Sequence, residues 1–203
     1  MKKGIKYLVL SLTLIFPVLI YLFLEGFAVN KYTIPQFYQD QSESRDIPGC
    51  LQFAIPHVAD LSLYTFEKPE VGQIRVVNPV FDECFDCPPN LNEVKRVSQR
   101  HGDVLVHNIY SEMITRIDSA KTESGSNWLI TQMGFPDLVN IVKCELIIEV
   151  PFDTSVGWLR ENGQLVLLDK QNRIRGYYRK ADREEIDRLI TEIAILKQEA
   201  DGE

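Results

Sequence analysis

The residues best placed to do chemistry lie in the stretch "VVNPVFDECFDCPPNLNEVKRV", Val76–Val97. Cys84 and Cys87 are separated by two residues, with Asp82, Glu83 and Asp86 around them and Pro88 and Pro89 directly after. A C-x-x-C pair opening a helix supports thiol–disulfide exchange. Backbone N–H groups and the helix dipole favour the thiolate of the first cysteine, and the second resolves the mixed disulfide. On that reading Cys84 attacks and Cys87 resolves. The same two sulfurs are soft ligands that could hold Cu(I) at low coordination. The carboxylates oppose the first chemistry, because negative charge beside a thiol disfavours its ionised form. A third reading is inert: a disulfide that only ties a strand end to its helix, or a relic pair on a scaffold kept for protein contacts.

Other candidates carry less. His57 would be a third copper ligand only if the segment before the domain folded back over the cysteines. His101, in "QRHG", falls at a helix end, where a cation suits the dipole. His107 lies within a strand, expected to point outward or bond locally. Cys144 closes an apolar helical face and reads as a small buried hydrophobe; nothing in the sequence favours a bridge from it to Cys50. Asp169 opens a hairpin turn, Arg173 and Arg175 alternate on one strand face toward an acidic helix, and Trp128 and Trp158 read as packing residues. No P-loop, dinucleotide fingerprint or zinc-protease motif occurs.

The elements that must position the pair begin with an export segment. Residues 1–24 hold Lys2, Lys3 and Lys6, then an uncharged apolar run from Tyr7 to Leu24, close to the length of a bilayer-crossing helix. The run is longer than a usual signal core, no A-x-A site follows, and Glu25 comes next, so an uncleaved anchor with a cytoplasmic N-terminus is expected. The expected location is a bacterial inner membrane, crossed once, with the rest of the chain in the periplasm and lipid as the anchor's partner. The anchor holds three of the chain's 22 basic residues and none of its 29 acidic ones, which leaves the remainder at −10. Such a domain does not bind nucleic acid, having nothing to neutralise phosphate.

Residues 25–70 are polar and proline-punctuated, and read as an extended lead-in over the surface of a domain spanning 71–203. "QIRVVNPVF" is a strand that Pro79 is expected to end or bulge. "PPNLNEVKRVSQRHG" follows as a helix, "DVLVHNIY" as a strand, "SEMITRIDSAK" as a short helix, "NWLITQM" as a strand and "FPDLVNIVKC" as a helix. "GQLVLLDKQNRIRGYY" reads as a hairpin. In "ADREEIDRLITEIAIL", Asp182 is the N-cap, Glu185 has capping-box spacing, and Ile186, Leu189, Ile190 and Ile193 form one face. A parallel strand–helix–strand unit followed by an antiparallel hairpin and a helix is an α/β thioredoxin-like pattern: a mixed central sheet flanked by helices.

The chain resembles the Sco/SenC family. The resemblance is carried by "LVLLDKQNRIRGYYRKADREEIDRLITEIAIL", by "FLEGFAVNKYTIPQFY" and by "CFDCPPNLNEVKRV". It implies a membrane-anchored thioredoxin fold in cytochrome oxidase assembly, with an oxidase subunit or other periplasmic protein thiols as partners and copper as a candidate cofactor on Cys84 and Cys87. Two departures stand out. The family's cysteines are three residues apart, and its copper-binding histidine precedes the penultimate strand, where this chain reads "PFDTSVGWLRENGQ" without one.

Overall fold

The computed structural model describes residues 3–27, 32–40, 47, 49–50, 55–61, 72–81, 88–114, 126–149 and 163–201. Two compact units are present, Met1–Thr33 and Ile34–Glu203. In the first, helix α1 spans Lys3–Phe27 and accommodates Pro17 without ending. The side chains described in it, Gly4 and residues 11–23, are exposed. Among the described residues no helix is long and apolar enough to cross a membrane.

In the second unit the alternation after Gln73 becomes β1, Arg75–Val80, buried at every position, as a strand covered on both faces must be. It is followed by α2 (Pro88–Arg100), β2 (Leu105–Ser111), β3 (Trp128–Met133), α3 (Phe135–Asn140) running into a π-helical turn (Ile141–Glu145), β4 (Gln164–Leu168), β5 (Ile174–Arg179) and α4 (Arg183–Asp201). The sheet order is β3-β2-β1-β4-β5. β1 pairs parallel with β2, and β2 parallel with β3, while β4 is antiparallel to both β1 and β5. Ser111 ends β2 instead of starting a helix, and residues 115–121 of the helix expected there lie outside the described residues.

Period-two alternation splits the core. Val76, Val106, Leu167 and Tyr178 face Val94 and Val97 of α2 and Ile186, Leu189, Ile193 and Leu196 of α4. Val77, Ile109, Val166 and Leu168 face Leu138, Ile141, Val142 and Leu146. Burying each α4 side chain is worth roughly 1.5–3 kcal/mol, whereas the Asp182 cap is worth about 1 kcal/mol, so packing and not the cap holds this helix. Asp182 Oδ1 accepts the Glu184 N–H at 3.0 Å. The capping box does not close, because the Glu185 carboxylate takes the Arg188 guanidinium at 2.9 Å. The Tyr178 ring lies so close over Gly176 that a Cβ there would fall 2.3 Å from the phenol oxygen.

The segment before β1 is more than a surface lead-in. Ile34, Ala59 and Leu61 are buried core residues, and Phe37 and Ala59 donate backbone N–H bonds to Ile174 and Asn172 carbonyls. Pro79, expected to interrupt pairing, stays in register opposite Ile109. The reason is directional. Ile74 turns its carbonyl to β2, so by alternation residue 79 turns its backbone groups the other way. On that side β4 pairs only with Arg75–Val77. The missing N–H costs no ladder bond.

Candidate functional site

Cys84 and Cys87 lie outside the described residues, in the segment 82–87. The described structure supplies the frame on either side. β1, central in the sheet, ends at Val80, and α2 begins at Pro88, the residue after Cys87. Phe81 remains buried and meets Phe135 edge-on at 5.9 Å between ring centroids. Proline suits a first helical turn, since the N–H it lacks has no intrahelical partner there. The first turn of α2 contains no acidic residue, so none of its own carboxylates offsets the partial positive charge at its N-terminus.

A cation sits on the same rim of the sheet. Lys180, directly after β5, donates its Nζ to the Pro79 carbonyl at 2.5 Å, filling the flank that β4 has vacated. Among the described residues no carboxylate pairs with it, and burial pushes the ammonium down to about 7. The sequence gives no sign of this group, because nothing in "RGYYRK" marks which cation turns inward.

The second cysteine pair is brought together. Cys50 and Cys144 form a disulfide with Cα atoms 5.5 Å apart across 94 residues. Cys144 is half-buried in the π-helical turn and is not the inert hydrophobe its helical spacing implied. Glu145 fastens the same turn twice more: its carbonyl accepts from His57 Nε2 at 2.8 Å and its carboxylate from the Asp60 N–H at 2.7 Å. Burial raises the Glu145 carboxyl, and the Asp60 N–H opposes the rise. The available signal was arithmetic: in an oxidising compartment, two cysteines outside the C-x-x-C pair can join each other.

The remaining candidates are structural. His57 is buried on the π-helical turn. His101 is no helix-capping cation. Burial and the nearby Lys197 lower its pKa, and it reaches across to the Ile190 carbonyl of α4 at 2.9 Å. His107 points inward, fully buried, with Nε2 3.0 Å from Thr131 Oγ1. Asp169 Oδ1 accepts the Gln171 and Arg173 N–H groups, which sets the hairpin turn. Arg175 meets the acidic helix at Glu199, as its strand position implied, while Arg173 pairs with Asp169. Trp128 is half-buried against Val80 and Tyr110, and Trp158 lies outside the described residues. Among the described residues no group of three or more His, Cys, Asp or Glu side chains could hold a metal ion.

A parallel β1–α2–β2 unit, an antiparallel β4–β5 hairpin and a closing helix on a mixed sheet define a thioredoxin-like fold. The chain shares this fold with the structure of BsSco, a member of the Sco family of cytochrome c oxidase assembly proteins and the subject of a disulfide-switch study. The match has 12% identity and a TM-score of 0.51, covering 63% of this chain and 82% of that one. A SCO1/SenC family lipoprotein from Bacillus anthracis str. Ames is similar at 15% identity and TM-score 0.45, covering 63% of this chain and 83% of its own. The exposed lipoprotein thioredoxin Etrx1 from Streptococcus pneumoniae strain TIGR4 is similar at 13% identity and TM-score 0.39, over 60% and 86%. No family model and no curated protein matches the chain.

Proposed function

We propose that this chain is a Sco-like, membrane-anchored thioredoxin-fold protein that performs thiol–disulfide exchange through Cys84 and Cys87 during assembly of a respiratory cytochrome oxidase. One observation carries the reading: the C-x-x-C pair occupies the link between the carboxyl end of the central strand, Val80, and the first residue of α2, Pro88. A sulfur leading into that helix end is favoured as thiolate by the dipole.

The Cys84 thiolate attacks one sulfur of a partner's disulfide, forming a mixed disulfide as the partner's other sulfur leaves as thiolate. The Cys87 thiolate then attacks Cys84 Sγ, closing the Cys84–Cys87 disulfide and releasing the partner's second thiolate. The partner gains two electrons and the pair loses two; with an oxidised pair the steps run in reverse. The substrate class is a disulfide or dithiol on an oxidase subunit or another periplasmic protein. Supporting the anchor, α1 contains the apolar run Tyr7–Leu24, and Lys2, Lys3 and Lys6 favour a cytoplasmic amino end at an inner membrane.

The copper reading has less support. His57, the histidine considered as a third ligand, is buried with its Nε2 on the Glu145 carbonyl, which ties the ring to the π-helical turn. The donor set that the resemblance to this family implies is not reproduced, since "PFDTSVGWLRENGQ" holds no histidine.

The test is the rate at which Cys84 alkylates in the reduced chain across pH 5–9, read by peptide mass mapping. The exchange reading expects Cys84 to react well ahead of Cys87, with an apparent pKa below the ordinary thiol value of about 8.5. A Cys84 that stays inert after full reduction removes that reading and leaves a scaffold.

A further inference from the structure

Arg75 opens the central strand, at the end opposite the cysteines, and is only 1% exposed. Its strand neighbours are Leu105 on β2 and Leu168 on β4. Its Nε and Nη1 donors have no acceptor, and among the described residues no carboxylate pairs with it. A buried guanidinium without a counter-charge is strongly disfavoured, and burial duly lowers its pKa. His107 stands two residues further along on the same face of the sheet, since Val77, the same-face neighbour of Arg75, is its partner in register. The imidazole is 0% exposed, and its Nδ1 also lacks a partner. Burial, and then the Arg75 charge, hold the ring neutral.

We propose that Arg75 and His107 form a binding site for a small oxyanion, held between the guanidinium and the imidazole N–H. In the tautomer this site requires, the neutral ring accepts the Thr131 hydroxyl proton at Nε2 and carries its own on Nδ1, which makes all three orphaned groups donors. Three donor atoms, one formal positive charge and no acceptor constitute a receptor for an anion. Water would serve less well, because it supplies two acceptor sites and no charge. Arg75 and His107 lie diagonally across the parallel β1–β2 pair on one face of the sheet. The site is independent of the thiol chemistry.

The experiment follows the thermal midpoint of the full chain in chloride buffer at fixed ionic strength and neutral pH, titrated with millimolar sodium phosphate, sulfate or acetate. The expected result is a saturable rise with at least one of the three, and the one that acts identifies the anion class. Arg75→Met should abolish the rise, and without anion should be at least as stable as the wild type, since an uncompensated charge has been removed. If that variant does not fold, the Arg Nε–H resonances of the 15N-labelled wild type give the answer, with one shifting on addition of anion. An unresponsive midpoint, an equal rise in Arg75→Met, or unmoved Arg resonances would overturn the proposal.

Discussion

The Cys50–Cys144 bridge offers the sharpest test of the fold, because its contribution can be worked from chain topology. Closing a loop of 94 residues removes conformational freedom from the unfolded chain worth about 4–5 kcal/mol in the loop-entropy treatment, and known bridges commonly deliver about 2–4 kcal/mol. The native state should keep most of its structure without the bridge. His57 and Asp60 still bind Glu145, and Ala59 and Leu61 still lie in the core. Cys50→Ser/Cys144→Ser should therefore fold and unfold about 3 kcal/mol more easily. For a unit of this size that lowers the thermal midpoint by about 6–12 °C. Urea unfolding in a Cys84→Ser/Cys87→Ser background isolates the effect, since only one disulfide can then form and a reductant should reproduce the double variant. A loss below about 1 kcal/mol, or two alkylatable thiols in the non-reduced protein, refutes the reasoning.

Two further outcomes follow from local geometry. Asp182→Ala removes the acceptor for the first free N–H groups of α4, and should cost about 1 kcal/mol in urea unfolding without changing helix content; an unchanged midpoint contradicts the cap assignment. His107 has a folded-state pKa of about 3 against an ordinary value of 6.5. The unfolded chain therefore takes up the proton first, and stability is intact above pH 6.5 and falls as the pH drops toward 3. His107→Gln should make the stability curve shallower in that window by up to about 1.4 kcal/mol per pH unit, and parallel curves for the two proteins would exclude a buried neutral ring.

The sequence made legible what periodicity controls. Ile186, Leu189 and Ile193 announced the buried face of α4, and "GQLVLLDKQNRIRGYY" announced the hairpin, because alternation reports burial directly. Asp182 and Asp169 were readable as cap and turn residues because their bonding is local. What could not be read depends on contacts between distant residues. Pro79 sits in a strand because the pairing of β1 with β4 has already stopped at Val77, a fact of tertiary pairing. His107 is buried because β3 supplies Thr131, and Lys180 turns inward because a flank lies open. The Cys50–Cys144 pairing needed the π-helical turn to meet the preceding segment, which no spacing encodes. For the candidate site, the sequence named Cys84 and Cys87, and the structure supplies the strand end and helix start that bracket them.

The Lys180–Pro79 contact constrains which residues can exchange at either position. In a strand the amide hydrogen and carbonyl of one residue leave on the same side, so any amino acid other than proline at 79 would aim an N–H into the place the lysine occupies. Two hydrogens bearing positive charge would then point into the same space. The imino acid that sequence rules penalise within sheets brings no N–H against that cation, and genetic drift at either site should be coupled to drift at the other.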